Sequence, residues 1–483
     1  MSSSPLPIHA AGRCLWVVAL NEWRLLARTP AYAGLLAGCA VLLLVAAWLG
    51  GQKQERERER QRAYQALVRH QWETQPDRHP HRVAHYGTFA FKPPGLLAAI
   101  DPGVDGYAGR SIYLEAHRQN SANFAEAGEL SAVARLGELS LAFVLHVVLP
   151  LVAVLFGHRA LVGEREAGRS RLLLTQGVPE VALALGKLLG VGLALLPFLL
   201  LAGLVAGGVA FRGGAWSGEA AMRLAGLAGI VTLHVMAWAA VGVWVSSWSR
   251  TVAQATGVAL GLWLLGMVIL PRAAAVWAER RHPLPDKSAF QAAVAADTRA
   301  LGDSHDPNDP HFAEFRRATL ARYGVARVED LPVNYAGIVM ARGEQLSAET
   351  FARHFARLAE TMEKQAAAIE AWGVVSPYLA VRALSAAAAG TDLRSQLHFQ
   401  RAAEAYRYRF VQALNDLHRD EIRFTNDKDQ KVSAARWLGI PDFHYQPVNA
   451  GEAWAGTGTA WALLGLWLVG PVLGLCRPRF ASP

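Results

Sequence analysis

Histidines and carboxylates gather at two places in this sequence where they could do chemistry. His79, His81 and His85 stand close together, and Asp303, His305, Asp306, Asp309 and His311 follow one another among prolines. Imidazole with carboxylate is a transition-metal donor set, and carboxylates alone suit calcium. Neither cluster has a defined ligand spacing, and the second lacks the glycine and closing glutamate of a calcium loop. Both are read as proline-rich solvated turns, with no metal site assigned. A zinc peptidase would carry two histidines four apart around a glutamate, and no HExxH occurs. An ATPase would carry GxxxxGKS or GxxxxGKT, whose backbone amides and lysine hold phosphates. Here Gly186 and Lys187 are followed by Leu188, and no glycine stands five residues before Gly186. The chain is therefore expected to be no enzyme and to hold no cofactor of its own.

Two further histidines, His146 and His234, lie inside long apolar runs. Ionisable groups in a bilayer are costly and face a bundle interior or a wet cavity. They are candidate pathway-lining residues; the alternative is a neutral histidine hydrogen-bonded to a neighbouring helix.

The elements that must position these residues follow from composition. The 483 residues are 52% hydrophobic and 18% charged, more apolar than a soluble chain requires. The excess collects in six runs of about 20 residues, enough for a helix to cross a roughly 30 Å hydrocarbon core. Spans are expected at 31–50, 136–157, 188–211, 224–245, 252–271 and 454–476. The fold class is an all-α polytopic membrane protein, six transmembrane helices with a mainly helical extracytoplasmic lobe. Residues 1–30 form an amphipathic interfacial helix. The polar inserts are 51–135 and 272–453, and the short connections are 158–187, 212–223, 246–251 and 477–483.

Arginine and lysine mark the side that stays in the cytoplasm. They crowd 158–187 and recur at Arg477 and Arg479, so both termini are placed inside and both inserts on the outer face of a bacterial inner membrane. The net charge of +9 is accounted for by span-flanking residues and not by a nucleic-acid groove. The three cysteines, Cys14, Cys39 and Cys476, lie in or beside apolar segments, and no disulfide framework is implied. Gln52 to Arg62 reads as a solvated helical extension of the first span. Residues 72–129, rich in Pro, Gly and His, read as turns and short elements. In the second insert, Phe351, Phe355, Leu358 and Met362, and then Leu393, Leu397, Tyr406 and Phe410, recur at helical spacing, which predicts a hairpin over 342–424. Gly203 with Gly207 and Gly257 with Gly261 are small pairs that permit close helix approach.

The connection 158–187 carries the most information. After Gly163, Glu164, Arg165, Glu166, Ala167 and Gly168, the run from Ser170 to Gln176 reads as one or two helical turns with Leu172, Leu173 and Leu174 as an apolar ridge. Gly177 and Pro179 end it. The result is an amphipathic knob on the cytoplasmic side.

This order, closing on Gly186 and Lys187, resembles the coupling segment between spans two and three of ABC-2-type transport permeases. The span count, the amino-terminal helix and the serine-rich turn before span five are similar to that family. His85, Tyr86, Gly87, Phe91, Lys92, Pro93 and Pro94, then Asp101, Pro102 and Gly103, and later Ala389, Gly390, Thr391 and Asp392 resemble a subgroup with large outer inserts of unknown function. The resemblance implies a permease that pairs with a second permease, identical or paralogous, and with separate ATP-binding subunits that hold ATP and magnesium. It assigns ATPase coupling to Glu164, Arg165, Glu166, Gly168, Arg171, Leu172, Leu173 and Pro179. Two functions are then open: export or extraction of a substrate, or mechanical work through the membrane on a periplasmic partner without transport. Lipid is a partner in either; nucleic acid is not.

Overall fold

The computed structural model describes residues 8–120, 139–212 and 217–477. Arg479, residues 136–138, at which the second span was expected to open, and the end of the first insert lie outside the described residues. Six helices are long and apolar enough to cross a membrane: Pro30–Glu73, Leu141–Glu166, Glu180–Arg212, Gly218–Trp248, Val252–Arg281 and Gly458–Leu475, here spans 1 to 6. Several are longer than their apolar cores. Span 1 continues without a break through the alternating Glu and Arg run, where pairs such as Arg60 with Glu57 sit one turn apart. Span 3 starts at Glu180 and not at 188, because Pro179 sets the start and Glu180 occupies the first turn, where a carboxylate suits the helix dipole.

Prolines shape spans 2 and 5. Each has a wider turn, Val144–Val148 and Leu265–Ile269, just before Pro150 and Pro271. A proline has no amide for the carbonyl four residues back, and wide turns in a membrane helix need outside donors for freed carbonyls. Those donors are present. His234 Nε2 bonds the His146 carbonyl at 3.1 Å, Trp263 Nε1 donates to the Val147 carbonyl at 3.2 Å, and Ser376 Oγ donates to the Gly266 carbonyl at 2.6 Å.

The amino-terminal helix, α1 (Ile8–Ala27), lies along span 3. A side chain at Gly186 would meet Leu15 O and Val18 Cβ at 2.8 Å, and one at Gly190 would meet Glu22 Cβ at 2.5 Å and Ala19 O at 2.7 Å. These two glycines, and not the expected pairs, permit close helix approach. Gly203, Gly257 and Gly261 face open space, and Gly207 meets only Leu224 Cδ2, at 3.7 Å.

The two inserts build one lobe. The first contributes α2 (Pro80–Tyr86) and a three-stranded antiparallel sheet in the order β1 (Thr88–Phe91), β2 (Ser111–Glu115), β3 (Arg118–Gln119), with Thr88 opposite Leu114 and Phe91 opposite Ser111. Its apolar face, Ala90, Ile112 and Leu114, packs on Phe399 and Ala403 of a helix from the second insert, Leu393–Glu421. The predicted hairpin is a three-helix arrangement: Tyr335–Ala371, then Pro377–Ala389, then Leu393–Glu421. Its ridge of Phe351, Phe355, Leu358 and Met362 lines an open groove of about 880 Å³, with Leu284 and Phe290 opposite.

The lobe is fixed to the bundle. Ala380, Val381 and Leu384 share an apolar cluster with Ile230 of span 4 and with Ala460 and Leu464 of span 6. Arg223, near the start of span 4, is buried and donates to the carbonyls of Ala387, Ala388 and Val448 at 3.2, 3.1 and 2.5 Å. It thereby caps the end of the Pro377–Ala389 helix.

Candidate functional site: the connector between spans 2 and 3

The connector consists of two short helices, α3 (Val162–Glu166), which closes span 2, and α4 (Arg169–Thr175). Gly168 sits between them at φ +69°, and Gly177 follows α4 at φ +83°. Both angles favour glycine, so the fold turns where the sequence offers it. No residue of α4 is buried. Leu172 is 59% exposed, while Leu173 turns inward and packs on the apolar core of the bundle. Arg171 is exposed and Pro179 half-buried. The expected apolar ridge is thus split, with one leucine anchoring the knob and another presented outward.

Of the polar residues preceding α4, Glu164 is buried, Arg165 half-buried and Glu166 exposed, and each is tied to another element. The Glu164 carboxylate takes Lys187 Nζ at 2.6 Å on one oxygen and Arg169 Nε at 2.6 Å on the other. Lys187, about two turns into span 3 and buried, also donates to Glu22 Oε2 of α1 at 2.5 Å. Charges buried this deeply persist because each is paired and hydrogen-bonded, and removing one partner would strand the others. One lysine therefore links the connector, span 3 and the amino-terminal helix.

Arg165 points the other way. Nη1 donates to the Ser247 carbonyl at 2.7 Å, and Nη2 to those of Ser246 and Ser249 at 2.7 and 2.6 Å. These are among the last carbonyls of span 4, which have no partner within their own helix. A guanidinium there also meets the negative end of the helix dipole. Ser246 Oγ accepts the amides of Leu161 and Val162, both at 3.0 Å. Glu166 Oε1 accepts the Val252 amide at 2.8 Å, at the start of span 5. Residues 164, 165 and 166 thus hold spans 3, 4 and 5 in turn, while α4 is left outside.

Glu22, Lys187, Ser246 and Ser249 were not among the expected coupling residues. Lys187 could have been found, since an ionisable residue at the head of an apolar run needs a partner; Glu22, far away in sequence, gave no such signal. His146 and His234 are both buried. His234 has the geometry of the alternative reading, its ring tied to the His146 carbonyl that Pro150 frees, whereas His146 Nε2 is buried without a hydrogen-bond partner among the described residues.

The residues on which the subgroup resemblance rests also converge, in the lobe. Asp101 Oδ2 takes Ser385 Oγ at 2.5 Å, and its carbonyl takes Thr391 Oγ1 at 3.0 Å. Lys92 Nζ, buried, reaches Asp105 Oδ1 at 2.6 Å and Gln396 Oε1 at 3.1 Å. Gly390, at φ +71°, ends the Pro377–Ala389 helix. These residues form the joint between the two inserts.

Comparison with known families gives two matches. A family model described as ABC-2 family transporter protein matches residues 16–287, and a domain of unknown function, DUF3526, matches residues 287–446. No curated protein matches the chain.

Proposed function

The chain belongs to the ABC-2 family of transporter proteins, and from that premise we propose that it is a permease subunit whose connector takes up the motion of a separate ATP-binding subunit. In this reading α4 lies in the cytoplasm and both inserts lie on the outer face. The observation that carries the reading is the clamp beneath an exposed knob: Lys187, Arg165 and Glu166 fasten one small element to α1 and to spans 3, 4 and 5. A push on Leu172 and its neighbours cannot move α4 without loading all of them. Span 4 then reaches from Ser246 at the connector to Arg223 under the lobe. At 1.5 Å per residue its 31 residues extend roughly 45 Å, so a tilt started at one end arrives at the other. ATP and magnesium belong to the partner, and two permease subunits share one pair of ATPases. The work done is export or extraction of a substrate.

The test is co-purification of the full chain from its native membrane. An ATP-binding subunit is expected to come with it and to be lost from Leu172→Glu, whose side chain touches little of the permease itself. Absence of any ATP-binding protein with the unaltered chain, under conditions that keep the membrane assembly intact, would overturn the reading.

A further inference from the structure

The histidine clusters read as separate solvated turns come together in the lobe. His81 and His85 lie one turn apart on α2, His117 lies in the tight connection between β2 and β3, and His305 comes from the second insert. One ring nitrogen of each lies within 4.8 Å of the other three. Nε2 of His81 and Nε2 of His85 are 3.1 Å apart, and the rings of His117 and His305 are centred 4.7 Å from one another. We propose that these four imidazoles bind one divalent transition-metal ion of the imidazole-preferring group, Zn²⁺, Cu²⁺ or Ni²⁺, and that the ion ties the first insert to the second.

Four observations support the site. The donor set is imidazole alone, which suits this group of metals and not calcium or magnesium. Two of the rings are held from behind by carboxylates: His117 Nδ1 lies 3.3 Å from Glu344 Oε2, and His305 Nδ1 lies 2.9 Å from Asp303 Oδ1. That arrangement frees Nε2 of each ring, orients it, and raises its basicity as a ligand. His117 Nε2 is itself buried without a hydrogen-bond partner among the described residues. Finally, His117 adopts φ +61°, a conformation costly for a residue with a Cβ, and it is this turn that brings the ring to the other three. With metal–nitrogen bonds of 2.0–2.1 Å, tetrahedral ligands stand roughly 3.3 Å apart, a contraction within reach of small rotations about the side-chain bonds. His85 and His305 are exposed, so an ion can enter from solvent.

In a neighbouring group, His79, His418 and Asp427, the carboxylate is already engaged, while His79 Nε2 and His418 Nδ1 are buried without a hydrogen-bond partner among the described residues. Asp427 Oδ1 takes His418 Nε2 at 2.7 Å and Asn334 Nδ2 at 2.6 Å, and His79 Nε2 lies 3.6 Å from Oδ2. It serves as the control. The experiment uses the full chain in detergent, stripped with a chelator and dialysed against Zn²⁺, Cu²⁺, Ni²⁺ or Co²⁺ in turn, with bound metal counted per chain. One ion per chain is expected, with the visible absorption of tetrahedral Co²⁺ as its signature. His85→Ala with His305→Ala, both on the solvent side, should lower affinity at least a hundredfold while the metal-free chain unfolds at the same temperature as the wild type. Asp303→Asn should weaken binding about 10- to 100-fold. The proposal is overturned if the wild type binds no ion at micromolar free metal, if the double variant binds as the wild type does, or if only His418→Ala abolishes binding.

Discussion

Pro150 removes the amide that would have bonded the His146 carbonyl, and His234 replaces it from another helix. His234→Ala is therefore expected to destabilise the chain by about 1–3 kcal/mol through an unsatisfied carbonyl, read as a lower unfolding temperature in detergent. Pro150→Ala restores the missing amide, so the same His234→Ala change made in that background should cost distinctly less. Equal losses in both backgrounds would show that His234 acts through something else. Arg165 has a different kind of role, holding three carbonyls at the end of span 4. Arg165→Ala should leave the ATP-binding subunit attached and yet depress the ATPase response to permease. Loss of attachment would instead place Arg165 in the docking surface.

At the scale of elements, α1 packs one face on span 3 and leaves Trp16, Val17 and Leu25 exposed on the other, and glycines set how closely it packs. Gly190→Val is expected to overpack the contact with Glu22 and Ala19 and to cost about 1–3 kcal/mol. Deleting α1 removes both the clash and the Glu22 partner of Lys187. In a chain lacking α1, Gly190→Val should have little further effect on the unfolding temperature, and a full additional loss would mean that the glycine serves another contact. The clamp at Lys187 has the same logic: Glu164→Gln, at a buried position, should lower the unfolding temperature more than loss of a surface ion pair would, because Lys187 and Arg169 lose a shared carboxylate.

Across the whole molecule, bundle and lobe are one mechanical body. The helix Pro377–Ala389 fills the space between spans 4 and 6, and Ser376, Arg223 and the Trp467 indole, which donates to the Gly373 carbonyl, cross between them. Excising 342–424 would strip that cluster and take the Ala387 and Ala388 carbonyls from Arg223, leaving Nη1 of a buried guanidinium without those acceptors while Glu219 and Val448 remain. The truncated chain is expected to aggregate or elute as a broad peak in size-exclusion chromatography. A sharp, stable peak would show that the lobe is a separable domain. Mechanical work and export are better separated by substitutions in the open groove, such as Phe355→Glu, which spare the joints.

Much of this organisation was legible in the chain itself. Six apolar runs specify six membrane helices because lipid satisfies no backbone group, and a helix is the cheapest way for a segment to satisfy its own. Gly168, Gly177 and Pro179 specify the turns of the connector by backbone sterics, which are local. The small sheet, the three-helix lobe and the true close-packing glycines were not legible, since Gly186 and Gly190 differ from Gly203 and Gly207 only in what faces them. Glu22 and Lys187 are 165 residues apart in the chain, and His81, His85 and His117 are separated from His305 by spans 2 to 5 of the bundle. Residue type and spacing settled which groups could pair. Which of them do pair depended on long-range packing, because a charge or an imidazole acquires its partner only when separate segments are brought within about 3 Å, and no local pattern records that distance.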